Sequence, residues 1–251
     1  MKLNPIRFKS AVKAMGVHFG VSALVALAVA ALVFGIWFPH PYRQLAGGTD
    51  LFFLVMGVDL VCGPLLTLVL YNPAKPKREL FIDLGLVVIV QLAALAYGMW
   101  SVHAARPLYL VHELDRFKVI ARVDVDGLEL RNLPESIQPK LFKGPQPVGL
   151  REPNADERKK VMFESVEGGR DYGERPSFYA SYDGIKAYAK ARPVSDFVKK
   201  HPERQVDLNK LPGNTAQAAQ WRYLPIIARQ DWVAVLNAKG EIVGYLQGDG
   251  F

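Results

Sequence analysis

The sequence predicts a membrane protein with three transmembrane α-helices followed by a small α+β extracytoplasmic domain. Three long apolar runs, Val17–Phe38, Leu51–Tyr71 and Leu80–Trp100, crowd into the first hundred of 251 residues. Each has the length of about 20 apolar residues that a helix needs to cross a hydrocarbon core ~30 Å thick. After Trp100 the chain turns polar, and its alternating and capped segments suit a folded domain of roughly 150 residues. The organisation read from these observations is a basic cytoplasmic segment over 1–16, a transmembrane region over 17–105 (spans about 17–38, 51–71 and 80–100) and a periplasmic domain over 106–251.

The charges that flank the runs orient them. Lys2, Arg7, Lys9 and Lys13 precede the first run, Arg43 stands alone in Pro39–Asp50, and Lys75, Lys77 and Arg78 fill the second connection. Lysine and arginine collect on the cytoplasmic side in short loops. The expected arrangement has the amino terminus inside, the first loop outside, the second inside, and everything after Trp100 outside. A cleaved signal peptide is the alternative for the first run. That run exceeds the about 7–15 apolar residues of a signal peptide, and no clean small-x-small site precedes Trp37-Phe38-Pro39. It therefore reads as a signal-anchor.

Met1–Gly16 is short, basic and mildly apolar, and is expected to lie along the inner surface before turning into the membrane. Ser22, Ala26 and Ala30, and separately Gly16 and Gly20, recur every four residues. Small residues at that spacing let helices approach closely in lipid, although alanine can also simply fill a span. Trp37 and Tyr42 beyond the first run, and Tyr97 and Trp100 at the end of the third, fit an aromatic belt on one face of the membrane.

In the polar part, Arg106-Pro107 ends the third helix, because the residue before proline is pushed out of the helical region. Phe117, Val119, Ala121, Val123 and Val125 alternate with polar residues and read as a half-buried strand. Asp126-Gly127 reads as a hairpin turn into a strand over Leu128–Leu133. Pro134–Pro153, rich in proline and glycine, reads as a loop. Asn154-Ala155-Asp156-Glu157 is a capping-box pattern for a helix to about Ser165. Asp183–Arg192 carries helical spacing, and Ser195 is expected to cap a helix to Lys200. Trp232–Asn237 and Glu241–Leu246 flank Ala238-Lys239-Gly240 as a terminal hairpin. Cys62 is the single cysteine and sits inside the second run, so no disulfide framework is expected.

The net charge of +7 does not mark a nucleic-acid binder. Through Trp100, eight Lys and Arg stand against four Asp and Glu, mostly as cytoplasmic flanks, and the remaining excess is spread over the domain. Enzyme signatures are lacking: there is no nucleophile elbow, no Walker loop and no pair of histidines at metal spacing on a helix. His103, His112, Glu113 and Asp115 cluster beyond the third run but not on a clear helix. Gly168-Gly169, Gly173 and Gly184 form no phosphate-binding pattern. No catalytic residue, metal or cofactor is assigned.

The polar residues inside the spans carry the functional reading. Asp59 lies near the middle of the second run, where a carboxylate costs roughly 2.5–3.5 kcal/mol on insertion scales. Gln91 lies at similar depth in the third, and the two are expected to meet between antiparallel neighbours. Gly63-Pro64 follows, and the proline removes a helical hydrogen bond and frees the Leu60 carbonyl. Irregular backbone in lipid must be covered by protein. The group is either a polar site for a partner helix or an internal hydrogen bond that pins the spans. Asp83 falls in the first turn of the third run, where a helix amino terminus favours negative charge.

The segments DLVCGPLLTLVLYNPAKPKRELFIDLGLVVIVQLAALAYG (Asp59–Gly98) and RPLYLVHELDRFKVI (Arg106–Ile120) resemble the type IV pilin accessory proteins of the TfpX/TfpZ family. The match rests on Asp59, Gly63-Pro64, Lys77-Arg78-Glu79-Leu80, Asp83, Gln91-Leu92, Tyr97-Gly98, Arg106-Pro107 and Asp115-Arg116-Phe117. Total length, three spans and the hairpin after Leu224-Pro225 agree. The resemblance implies a non-enzymatic inner-membrane protein of a piliated bacterium that acts with the major type IV pilin in pilus assembly and twitching motility. Such a protein would act like a chaperone, touching the pilin's single apolar helix and its outer head, with the assembly platform as a further partner. Asp59, Asp83, Gln91, Gly63 and Pro64 are its intramembrane partner-binding candidates. A membrane-tethered periplasmic enzyme or an envelope sensor is the alternative.

Overall fold

The computed structural model describes residues 5–212 and 219–251. The chain forms two compact units, one of Met1–Ile36 with Gly48–Ala104 and the other of Trp37–Gly47 with Ala105–Phe251. Four helices open the chain: α1 (Pro5–Leu32, continued by a π turn over Val33–Trp37), the short α2 (Tyr42–Leu45), α3 (Gly48–Leu70) and α4 (Lys77–Ala105). Three helical stretches, Pro5–Trp37, Gly48–Leu70 and Lys77–Ala105, are long and apolar enough to cross a membrane.

Helices α1 and α3 pack antiparallel. Arg7 donates to the Val69 carbonyl at 3.1 Å near one end, and Phe34 meets Phe52 with ring centroids 4.8 Å apart near the other. The chain does not turn at Gly16, and Met1–Asn4 lie outside the described residues. Helix α1 runs unbroken from Pro5, and its early turns are held on α3 through Arg7 and buried Ala11. The Ser22, Ala26 and Ala30 stripe lies on the covered side of α1, with Ala26 buried and its neighbours half-buried. Gly16 and Gly20 face open space instead. Helix α4 meets α3 where a glycine makes room: a Cβ on Gly98 would fall 2.3 Å from the Val55 side chain.

The second unit is built on a mixed sheet. Its strands are β1 (Pro107–Glu113), β2 (Arg116–Ala121), β3 (Gln146–Leu150), β4 (Tyr179–Ser181), β5 (Arg192–Pro193), β6 (Arg222–Ile227), β7 (Trp232–Leu236) and β8 (Ile242–Gln247). They lie in the order β4-β3-β1-β2-β6-β7-β8, with β5 paired to β6. The terminal hairpin β7–β8 falls where the sequence placed it. The Asn237 carboxamide oxygen accepts from the Lys239 and Glu241 N–H groups, and Gly240 takes the left-handed conformation (φ +76°) that closes the turn.

Between the strands lie α5 (Gly127–Arg131), α6 (Ala155–Val166), α7 (Gly184–Lys190), α8 (Val194–Lys200) and α9 (Gln205–Asn209). The expected capping box opens α6, where Asn154 and Glu157 bond each other's backbone. Asp183 caps α7 by accepting from Lys186. Ser195 does not cap α8, which begins one residue earlier, directly after Pro193. Asp126-Gly127 does not turn a hairpin either. The Asp126 carboxylate accepts from the Leu128 N–H at 2.7 Å and caps α5, because Leu130, Leu133 and Ile137 recur at near-helical spacing and all point into the core. Strand β2 stops at Ala121, and a 3-10 turn over Arg122–Asp124 replaces its expected continuation.

Strand β3 lies inside the stretch read as a loop and pairs parallel with β1. Strand β1 holds Leu108, Tyr109, Leu110 and Val111 in a row, all buried. A strand covered on both faces shows no alternation for a sequence to reveal.

The first connection is part of this second unit. Leu45 is fully buried and Tyr42 nearly so, in one cluster with Leu110, Phe117, Leu224 and Trp232. The Leu45 carbonyl accepts from the Arg229 N–H at 2.9 Å, and the Tyr42 and Tyr245 hydroxyls lie 3.2 Å apart. Burial, with Tyr245 alongside, pushes the Tyr42 phenol well above the ordinary tyrosine range. Tyr42 is thus a core residue and not a belt residue. Because Trp37–Gly47 and Ala105–Phe251 fold as one body, they lie on the same side of any membrane that the long helices cross.

One half-buried acid in this unit sets a pH dependence. Burial holds the Glu113 carboxyl above its usual range, against a smaller opposing pull from Lys118. A raised carboxyl pKa contributes stability that is present below the unfolded value and lost as pH rises through the folded one. Glu113→Gln should therefore gain stability relative to the parent as pH rises from about 4.5 toward neutrality. Urea unfolding of the full chain at several pH values checks this, and a constant difference would count against it.

Candidate functional site

The intramembrane candidates lie on α3 and α4. Gln91 reaches across from α4, and its side-chain N–H donates to the main-chain carbonyl of Asp59 at 3.1 Å. The two residues meet, but through the Asp59 backbone and not its carboxylate. Gly63 makes the contact available. A Cβ there would fall 1.8 Å from Gln91 Nε2, so only glycine leaves the carboxamide room to lie on the α3 backbone. Pro64 follows inside α3 and is buried, as Gly63 is. The half-exposed Asp59 side chain stays outside this contact.

Asp83 lies in the early turns of α4 and is already engaged. Lys75, from the connection before α4, places its ammonium 2.5 Å from the Asp83 carboxylate, with both side chains about one-third exposed. An ion pair of that exposure contributes roughly 0–1 kcal/mol, so it holds the connection only loosely.

A second polar contact escaped the sequence reading. His18 Nδ1 and Thr67 Oγ1 lie 2.6 Å apart between α1 and α3, and Thr67 is buried. A lone histidine and a lone threonine in two apolar runs gave the only signal, and nothing in their spacing paired them. Beside this contact opens a groove of about 510 Å³ with a mostly apolar lining. Lys13, Val17 and His18 line it from α1, Thr67 from α3, and Leu84 and Val88 from α4. All these positions lie toward one end of the helices, near the second connection. The groove can hold an apolar segment, with a few polar groups to fix its register.

Among the described residues, no three His, Cys, Asp or Glu side chains converge as a metal ion would need. In the sheet unit, Lys118 sits 2.8 Å from Glu174 and 3.6 Å from Asp171, beside Glu113. That network ties β1 and β2 to the 3-10 turn at Tyr172–Glu174.

Comparison with known proteins decides the family. Over 260 aligned residues the chain is 35% identical to the fimbrial assembly protein of serogroup I from Dichelobacter nodosus, with 99% of each chain covered. The chain belongs to the fimbrial assembly protein family. The serogroup E1 protein of the same organism matches equally, at 35% over 260 residues and 99% of each chain. The protein of serogroups C1 and C2 is 43% identical over 123 residues, which is 49% of this chain and 94% of that relative. The family model described as fimbrial assembly protein FimB matches residues 6–47. That span runs from the start of α1 through α2, and so includes the segment that folds into the sheet unit. No solved structure matches.

Proposed function

We propose that this protein is a non-enzymatic inner-membrane accessory factor for type IV pilus assembly. It acts with the major pilin to promote surface piliation and twitching motility. The observation that carries the reading is similarity along the whole chain to proteins named for fimbrial assembly. The TfpX/TfpZ motifs from Asp59 to Phe117 supply the finer assignment to pilin accessory proteins. The amino terminus is cytoplasmic, and the sheet unit is periplasmic, following the lysine and arginine bias of the connections.

The groove beside His18 and Thr67 takes the apolar helix of the pilin, and the sheet unit takes its head. Packing between helices supplies the attraction in lipid, where apolar surface alone gains nothing. The charged amino terminus of the pilin lies near the cytoplasmic face, on the level of Asp83. There it replaces Lys75 as the partner of the carboxylate, a low-cost exchange for so exposed a pair. Asp59, nearer the midplane, together with Gly63, Pro64 and Gln91, forms the α3–α4 contact against which that helix rests. The assembly platform is the next partner in line.

Co-purification of the pilin with full-length protein from membranes tests the reading. Val17→Trp, which fills the groove from an exposed position, should cut pilin recovery several-fold without lowering the level of the protein itself. Asp83→Asn should produce a smaller loss. Undiminished capture by both variants would remove the groove from the mechanism. A periplasm-active reporter fused after Phe251 should be active, and activity of a cytoplasm-only reporter there would overturn the orientation.

A further inference from the structure

We infer that the Lys140–Lys143 turn of the sheet unit is a membrane anchor, seated in the headgroup and upper acyl region of the bilayer. The sequence there is Pro139-Lys140-Leu141-Phe142-Lys143-Gly144-Pro145. The Lys143 N–H closes a tight turn on the Lys140 carbonyl at 3.3 Å, which leaves Leu141 and Phe142 as the two central residues. Turn centres ordinarily carry Gly, Asn, Asp, Ser or Pro. Here they carry two large apolar side chains, Leu141 49% exposed and Phe142 72% exposed.

The turn is fixed to the places where the chain enters and leaves its long helices. The Leu141 carbonyl accepts two hydrogen bonds, from the Trp37 indole at 3.1 Å and the Arg106 guanidinium at 3.0 Å. Trp37 closes the first membrane-length helix, and Arg106 directly follows the last. Both side chains are buried, and the guanidinium stands over the Trp37 ring at 5.9 Å. Two residues covalently adjacent to the spans thus hold Leu141 by its backbone, which ties the turn to the ends of the membrane-length helices.

The chemistry of the turn suits that boundary. Apolar side chains flanked by lysines gain from burial in the acyl region while the ammonium groups stay at the lipid phosphates. Lys140 is exposed, and Lys143 is exposed and reaches the Gln146 carboxamide oxygen at 2.7 Å. The occupant is the bilayer itself, because the anchoring bonds come from its entry points. This function is independent of the pilin.

A fluorophore on Phe142→Cys, in the full chain with Cys62 replaced by Ser, reads the environment directly. The protein is reconstituted in phosphatidylethanolamine and phosphatidylglycerol vesicles. A lipid with a nitroxide high on its acyl chain should quench the label about twofold, as expected for a group buried just below the headgroups. Aqueous iodide should quench it little. Lys140→Glu should shift the balance toward iodide. Full access to iodide with no lipid quenching would overturn the inference. So would shielding from both quenchers, which would mean that protein, such as a second copy, covers the turn.

Discussion

Leu45→Ala should destabilise the sheet unit by about 2–5 kcal/mol, the range for removing most of a fully buried leucine. The effect is unusual in its location, since Leu45 belongs by sequence to the connection between the first two long helices. Its side chain packs with Leu110, Phe117 and Leu224, residues sixty or more positions away. The variant should insert normally yet lose protease resistance in the fragment after Ala105. A variant in Gln44, exposed in the same short helix, should leave resistance unchanged. Equal resistance in Leu45→Ala would mean that the segment only decorates the domain.

Gly63→Ala should loosen α3 from α4, and Gln91→Ala in the same chain should restore the contact. The added Cβ would overlap the Gln91 carboxamide and force it off the Asp59 carbonyl. Overpacking costs typically about 1–3 kcal/mol, and a hydrogen bond between membrane helices averages ~0.6 kcal/mol. The steric part should therefore dominate, and removing the carboxamide relieves it. Unfolding of the three variants in mixed micelles with increasing dodecyl sulfate measures the cycle. A double variant less stable than either single one would show that the glycine serves the backbone of α3 rather than its neighbour.

The three long helices were legible because their uninterrupted apolar runs have the length that crossing a bilayer demands. The terminal hairpin was legible because Ala238-Lys239-Gly240 separates two apolar strands. The capping box at Asn154 announced its helix, and the helical spacing after Asp183 announced another. The missed elements share one physical cause. Strands β1 and β3 are stabilised by neighbours far along the chain, and burial of β1 on both faces erases the alternation that would betray it. The aspartate and glycine at 126–127 suit a hairpin turn and a helix cap alike, and only the burial of Leu130, Leu133 and Ile137 decides between them. In the site, depth matching brought Asp59 and Gln91 together, but sequence cannot show that the bond falls on the main chain. The Asp83–Lys75 pair and the His18–Thr67 contact depend on side-chain direction, which periodicity does not encode.

The burial of Leu45 also sets a schedule. Ribosomes deliver the chain from its amino terminus, so α2 is made well before β7 and β8, whose Trp232, Ala234 and Tyr245 pack in its cluster. About two hundred residues separate Leu45 from Tyr245, which at bacterial-like synthesis rates is a delay of roughly 10–40 s. Throughout that interval the cluster around Leu45 stays incomplete, and the last strands to emerge finish a core begun by one of the first segments.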